Sequence, residues 1–116
     1  MTDIARELLE RIRTEGRIDD DVVKVDRFLN HMVDPDLMER MADHFAGLFH
    51  DRRIDKVLTA ETSGIPLAQA LALKIGVPYV YAKKKKPLTM VDFYAAASFS
   101  FTKQETTTLY VSREVL

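Results

Sequence analysis

Two short polar segments contain the residues of this chain that are best suited to binding an anion. Residues 61–64 have the sequence Glu-Thr-Ser-Gly and follow a short, mostly apolar run at residues 57–59. Four consecutive lysines occupy residues 83–86, directly after the apolar stretch that ends at Ala82. Hydroxyl and successive backbone N–H groups donate to a phosphate, a glycine permits close approach, and a helix N-terminus adds positive potential. The two segments therefore predict a phosphate or pyrophosphate site.

A β-α-β unit would bring the two segments together. Residues 57–59 and 77–81 are the continuous apolar runs that parallel strands show when they are covered on both faces. Between them, Leu67, Leu71 and Ile75 keep a helical spacing, and we expect a right-handed crossover. Each polar segment then follows the carboxyl end of a strand, where open α/β sheets bind ligands.

The residues alone leave structural alternatives open for both segments. Ser63 is equally suited to capping the helix, and Gly64 to relieving the turn. A lysine run is often only a solvated edge that discourages aggregation. Lys83 and Lys84 are the better candidates within it, because they lie nearest the end of the strand.

The remaining elements are read from periodicity. One helix contains Ile4, Leu8 and Ile12 and ends at Gly16, and a second is expected from the acidic run at residues 19–21 through residue 32. A third begins at Asp34, an N-cap followed by proline. Residues 93–101 and a strand at 106–111 suggest an extended hairpin or a long mobile loop over the carboxyl edge of the sheet.

Composition excludes several classes of function. The 116 residues fit a single domain, and the absence of cysteine excludes disulfides, thiolate metal sites and a cysteine nucleophile. A formal net charge of -1 provides no general attraction to nucleic acid or anionic membranes. No apolar run approaches the roughly 18 residues of a membrane span. We therefore expect a cytoplasmic protein with neither a nucleic-acid nor a membrane partner.

Five separated blocks, in order, resemble bacterial xanthine phosphoribosyltransferases of the type I phosphoribosyltransferase family. They are KVDRFLNH at residues 24–31, DPDLM at 34–38, ETSGI at 61–65, AKK at 82–84 and SFTKQ at 100–104. The resemblance implies an incomplete α/β fold of this type in one domain: N-terminal helices and a helical hood over about residues 1–52, and a partial parallel sheet with a flexible hairpin or loop over about 53–116.

The resemblance also implies an activity. It is the joining of xanthine to 5-phosphoribosyl-1-pyrophosphate, which gives xanthosine monophosphate and pyrophosphate in purine salvage, with Mg²⁺ bound alongside the activated sugar and a homodimer as the assembly. Orientation and charge neutralisation, rather than a nucleophile, would supply the catalysis.

Residue roles carry over from the same resemblance. Val23, where a leucine is usual, and Asn30 would contact xanthine. An amide suits the lactam edge of an oxopurine, although Asn30 also suits a plain helix surface or C-cap, and the spacing of Phe28 favours the core. The other implied site residues are Glu61, Thr62, Ser63 and Gly64 in the pyrophosphate loop, and Lys83, Lys84 and Lys103 as catalytic cations. The loop at residues 85–106 would close over the reaction centre and bring in Lys103.

One part of the family pattern is missing from the sequence. These enzymes carry an apolar strand ending in two adjacent acidic residues and a Gly-containing loop for the 5-phosphate, and later a lysine that contacts the purine. The acidic run at residues 19–21 precedes an apolar run and does not match this motif. We therefore expect an N-terminal part of such an enzyme, inactive alone. The alternatives are a non-catalytic purine- or phosphoribosyl-pyrophosphate-binding regulator and a structural remnant of the same fold.

Overall fold

The computed structural model describes residues 1–100 and 103–116, and over these residues the chain has an α/β fold. The helices are α1 (Asp3–Glu15), α2 (Pro35–Leu48) and α3 (Ile65–Ile75). The strands are β1 (Arg17–Asp19), β2 (Val22–Lys24), β3 (Val57–Ala60), β4 (Tyr79–Ala82), β5 (Phe93–Ser100) and β6 (Glu105–Ser112). No helix in these ranges is long and apolar enough to cross a membrane.

The two N-terminal helix boundaries predicted from capping residues are confirmed. Gly16 ends α1, and its backbone N–H donates to the carbonyls of the last turn. At the start of α2, the Asp34 carboxylate accepts hydrogen bonds from the N–H groups of Asp36 and Leu37 at 3.0 and 3.2 Å. Pro35 follows at the first helical position, where its missing N–H costs nothing.

The helix predicted over residues 22–32 is wrong. β1 and β2 form an antiparallel hairpin in which Ile18 pairs with Val23, and its tight turn places Asp20 at a φ of 52°. Irregular turns follow as far as residue 33. Consecutive aspartates suit a tight turn as well as a helix N-terminus, and β-branched valines favour the strand.

The N-terminal core forms around Phe28 and Leu37, which are fully buried. Val25 and Met38 complete the buried cluster, and apolar side chains of α1 pack against it. This confirms the core role expected of Phe28. The guanidinium of Arg11 lies 4.7 Å from the centre of the Phe28 ring, closing one side of the core with a cation–π contact.

Arg11 also joins two acidic side chains. Its guanidinium is 2.6 Å from the Asp34 carboxylate and 2.8 Å from that of Glu15. The hydrogen bonds from Arg11 hold the pKa of each carboxyl below its usual range; at Asp34 the Leu37 N–H adds to the effect. The network ties the end of α1 to the start of α2.

The predicted β-α-β unit is confirmed. β3 and β4 are parallel, with Leu58 opposite Val80, and α3 connects them. α3 packs on α2 and on both strands and buries two small residues, Ala68 and Ala72. Complete covering of both strands is not observed, since Leu58 is 54% exposed and Tyr81 39%. The helix and the hairpin cover only part of a sheet of two strands.

An extended hairpin follows the unit, as one of the two interpretations of residues 93–111 predicted. β5 and β6 pair antiparallel along eight residues each, from Phe93 opposite Ser112 to Ser100 opposite Glu105. A bridge joins the hairpin to the end of β4, where Lys83 and Tyr110 exchange backbone hydrogen bonds of 2.8 and 2.9 Å. Phe101 and Thr102, part of one resembling block, lie outside the described residues.

Candidate functional site

A cleft of about 220 Å³ opens where the β-α-β unit meets the hairpin. It brings together Glu61 from the turn after β3, Lys84 from the segment after β4, and Lys103 from the hairpin. Its full lining is Ala60, Glu61, Lys84, Ser98, Lys103, Thr107 and Leu109. Three predicted site residues from three separate segments therefore face one space.

A second, more open cleft of about 410 Å³ adjoins the first. Glu61 and Lys84 line both, and the second also contains Lys83, Lys85, Lys86 and Pro87. Together the two clefts hold five lysines and one glutamate in a chain whose formal net charge is -1. The clefts therefore carry a local excess of positive charge where the sequence predicted an anion site.

The turn at residues 61–64 contributes Glu61 to both clefts, whereas Thr62, Ser63 and Gly64 line neither. Thr62 and Ser63 are exposed, and within the described ranges the N–H groups of Thr62, Ser63 and Gly64 donate to no protein acceptor. The peptide bond between Glu61 and Thr62 is cis. Gly64, not Ser63, is the N-cap of α3, and no side chain caps the helix. The interpretation of Ser63 as a helix cap is therefore wrong.

Gly64 is required by close packing rather than by backbone conformation. Its φ of -80° is open to any residue. A Cβ atom at this position would lie 2.1 Å from Oγ1 of Thr59. The missing side chain therefore lets the turn fold back against β3.

Glu61 links the turn to the lysine run. Its backbone N–H donates to the carbonyl of Ala82 at 3.0 Å, and its carboxylate oxygen Oε1 accepts from the backbone N–H of Lys84 at 2.8 Å. The half-buried Glu61 side chain thus spans from the end of β3 to the chain beyond β4. Its second carboxylate oxygen makes no hydrogen bond or ion pair within the described residues.

The predicted lysines are held differently. The backbone of Lys83 is fixed by the bridge to Tyr110, and its ammonium lies 5.7 Å from the centre of the Tyr81 ring. Lys84 lines both clefts, whereas Lys83 lines only the second. Lys103 lines the first cleft from the hairpin side. Lys84 is thus the lysine most central to the site.

The two residues predicted to contact a purine lie apart from the clefts. Val23 is at the centre of β2 and is 48% exposed, and Asn30 is exposed in the turns that follow. Neither lines the first or the second cleft. Asn30 occupies no helix, so the interpretation of it as a helix residue or C-cap is wrong.

Residues that the sequence did not suggest also contribute. Thr59 supports the turn from below through its contact with Gly64, and Ser98 and Thr107 add hydroxyl groups to the first cleft. Ser98 and Thr107 are direct cross-strand partners in the hairpin. A hairpin predicted with its turn at residues 101–104 of the sequence would have placed Ser98 opposite Thr107.

The described residues contain no group of three or more side chains suited to holding a metal ion by themselves. Among the residues that the structure describes, Glu61 supplies the only carboxylate in the lining of either cleft. Mg²⁺ is commonly bound by one or two carboxylates together with phosphate oxygens and water. The site therefore fits a magnesium ion that arrives with a phosphorylated ligand, but not a protein-only metal centre.

Sequence comparison relates the chain to bacterial enzymes. No family model matches it. It is 54% identical over 113 residues to a xanthine phosphoribosyltransferase of Geobacillus thermodenitrificans, covering 96% of the chain and 58% of the relative. It is 48% identical to the xanthine phosphoribosyltransferase of Brevibacillus brevis with the same coverage. The chain thus spans less than two thirds of these relatives' length, which is consistent with an N-terminal part.

Structural comparison supports the fold. The chain matches the adenine phosphoribosyltransferase of Giardia lamblia with a TM-score of 0.68 at 18% identity, covering all of this chain and 62% of that one. It matches the enzyme of Thermoanaerobacter pseudethanolicus with a TM-score of 0.61 at 20% identity, covering 89% of this chain and 60% of that one. The prediction of a partial α/β fold like that of the type I phosphoribosyltransferases is confirmed.

Proposed function

Because the chain is related in sequence to the bacterial xanthine phosphoribosyltransferases and shares part of the fold of adenine phosphoribosyltransferases, we propose that it binds the pyrophosphate group of 5-phosphoribosyl-1-pyrophosphate. The whole protein would transfer the phosphoribosyl group to xanthine, releasing pyrophosphate and forming xanthosine monophosphate in purine salvage. The observation that carries this proposal is the meeting of Glu61, Lys84 and Lys103 at the carboxyl ends of β3 and β4.

The chemistry of the two clefts suits a departing pyrophosphate. Its negative charge grows as the bond to the ribose carbon breaks, and preorganised cations and N–H donors stabilise that charge. Lys84 and Lys103 provide cations from two sides of the first cleft. The N–H groups of residues 62–64, which follow Glu61 directly in the chain, would add donors if the ligand extends beyond the cleft lining. Closing the hairpin over the sugar would exclude water and limit hydrolysis.

Mg²⁺ belongs to the same proposal. Bound to the phosphate oxygens, it would neutralise charge on the pyrophosphate. Glu61 is the residue that would approach it, because its second carboxylate oxygen makes no hydrogen bond or ion pair within the described ranges. The other residues of the clefts hold the anion directly.

Val23 and Asn30 remain the proposed contacts to xanthine. Asn30 offers an amide donor and acceptor to the oxopurine edge, and Val23 offers an apolar surface. Both side chains are exposed and therefore available to a ligand. The cytoplasmic location and the homodimer predicted from the sequence also stay part of the proposal; light scattering would measure the assembly.

Isothermal titration calorimetry tests the central point. We expect the chain to bind Mg²⁺-pyrophosphate weakly and xanthine more weakly still, because the 5-phosphate loop is missing from this sequence. Lys84→Ala and Lys103→Ala should each weaken pyrophosphate binding by about 3- to 10-fold. Lys56→Ala is the matched control, since Lys56 immediately precedes β3, at the opposite end of that strand from the turn.

Two results would contradict the proposal. Equal losses from Lys56→Ala and Lys84→Ala would show that general charge, not the cleft, attracts the anion. Absence of any pyrophosphate binding by the wild-type chain at millimolar concentration would remove the proposed site altogether. Steady conversion of xanthine by this chain alone would overturn the expectation that the 5-phosphate loop is required.

A further inference from the structure

Glu61 is a negatively charged residue at the centre of a site proposed to bind an anion. It lines both clefts, where every other charged residue in the lining is a lysine. When Mg²⁺ is absent a carboxylate there repels pyrophosphate, so its presence calls for a role besides the proposed approach to Mg²⁺. Its hydrogen bonds identify that role.

Glu61 donates one hydrogen bond and accepts another at the two ends of a short segment of the chain. The backbone N–H of Glu61 holds the carbonyl of Ala82, and the carboxylate holds the N–H of Lys84, so that Lys83 lies between the two points. A hydrogen bond from an amide to a carboxylate is shorter and stronger than one to a neutral acceptor. Glu61 therefore fixes the chain at the place where β4 ends and the lysine run begins.

The hydrogen bond between the Lys84 N–H and Glu61 matters because the two lysines that follow have no such backbone hydrogen bond within the described ranges. Lys85 and Lys86 are exposed, and within the described ranges their N–H groups donate to no protein acceptor. The Lys83 backbone is already held from the other side by Tyr110. Among the described residues, the N–H of Lys84 is thus the last backbone donor held at the end of β4 before Lys85 and Lys86.

We propose that Glu61 is a positioning residue, which acts by holding the backbone of Lys84 so that its ammonium faces the pyrophosphate site. This inference rests on the proposed function. It adds that Glu61 favours pyrophosphate binding through its hydrogen bond to Lys84, although its negative charge opposes that binding. Removing only the charge of Glu61 should strengthen pyrophosphate binding, whereas removing its acceptor should weaken it.

A pair of variants separates the two effects. Glu61→Gln keeps an oxygen acceptor for the Lys84 N–H and loses the negative charge, and Glu61→Ala loses both. We expect Glu61→Gln to bind metal-free pyrophosphate about 2- to 3-fold more tightly than wild type. We expect Glu61→Ala to bind it about 3- to 10-fold more weakly than Glu61→Gln. Calorimetry at one ionic strength gives both ratios.

Amide hydrogen exchange provides a readout that does not depend on the ligand. The Lys84 N–H should be protected in the wild type and in Glu61→Gln and should exchange faster in Glu61→Ala. The Lys83 N–H, bound to the Tyr110 carbonyl, should stay protected in all three and serves as the internal control. If Glu61→Ala also exposes Lys83, Glu61→Asp replaces it. That variant keeps the charge on a shorter side chain and should lose Lys84 protection and bind more weakly than wild type.

The outcomes distinguish this inference from the proposed function. If the wild type binds pyrophosphate and Glu61→Ala binds it as tightly as Glu61→Gln, Glu61 acts by charge alone and the positioning role is wrong. Unchanged protection of Lys84 in Glu61→Ala would overturn it as well. If the wild type binds no pyrophosphate, the proposed function fails and the positioning role fails with it, even where exchange shows the bond to exist.

Discussion

Replacing Gly64 with alanine should destabilise the chain through one identifiable contact. The added Cβ would lie 2.1 Å from Thr59 Oγ1, while its next neighbours, Thr59 Cβ at 3.5 Å and the Ala60 carbonyl at 3.6 Å, are at ordinary contact distance. The backbone conformation at Gly64 accepts alanine without strain. The clash with a single hydroxyl oxygen is therefore the main steric cost of Gly64→Ala.

The size of the effect follows from two contributions. Overpacking of this kind costs about 1–3 kcal/mol. Alanine is also a poorer N-cap than glycine, which adds roughly 0.5–1 kcal/mol whatever Thr59 does. In a Thr59→Ala background the first contribution disappears and the second remains. The coupling free energy between the two substitutions should accordingly be about 1–3 kcal/mol.

Urea unfolding followed by circular dichroism measures all four chains of this cycle, provided that their m-values agree. Thr59→Val is the matched control, because it keeps two heavy atoms on Cβ and should not relieve the clash. A loss below about 0.5 kcal/mol for Gly64→Ala would refute the reasoning, since surface substitutions without special features fall within that range. The same loss in the wild-type and Thr59→Ala backgrounds would refute it too.

Other substitutions test further parts of the fold. Gly76→Ala should lower the free energy of unfolding by about 1 kcal/mol, because Gly76 has a φ of 76° that alanine adopts only with strain. Gly47→Ala should raise it by about 0.5–1 kcal/mol, since Gly47 lies within α2 with open space around it. Urea unfolding measures both. Equal changes in the free energy of unfolding for Gly76→Ala and Gly47→Ala would contradict these two expectations. The carboxyl pKa values of Asp34 and Glu15 are lowered, chiefly by hydrogen bonds from Arg11, so their stabilisation is complete above their unfolded pKa values near 4 and is lost as the pH falls through the lower folded values. Asp34→Asn should flatten this acid dependence in urea unfolding between pH 2 and pH 7; an unchanged slope would show that the pair with Arg11 is not responsible.

Local sequence patterns predicted those helices and strands whose position a short stretch of sequence specifies. The apolar runs, the proline after Asp34 and the glycine after α1 each mark an element by local chemistry, and the structure has those elements where expected. The wrong prediction of a helix over residues 22–32 also came from a local pattern. The spacing of Val25 and Phe28 fits a helix, but it serves a turn whose two apolar side chains enter a core formed by other segments.

The contacts that organise the site join residues distant in sequence and have no local signal. The hydrogen bond from the Lys84 N–H to Glu61 spans 23 residues and depends on the parallel register of β3 and β4. Ser98 and Thr107 meet only because the hairpin register pairs them. The sequence indicated which residue types would bind an anion, whereas the sheet determined which of them share a cleft.

Within the described residues, the bridge between Lys83 and Tyr110 joins the hairpin to the end of β4, so a rotation at this bridge would move the far end of the hairpin. Lys103 precedes Tyr110 by seven residues, a distance of about 24 Å along an extended strand. A rotation of about 5° at the bridge would therefore displace the Lys103 end by roughly 2 Å, most of the length of a hydrogen bond. The position of Lys103 thus depends on a bridge directly beside Lys84. A shift of the backbone at that bridge would move both lysines of the first cleft together.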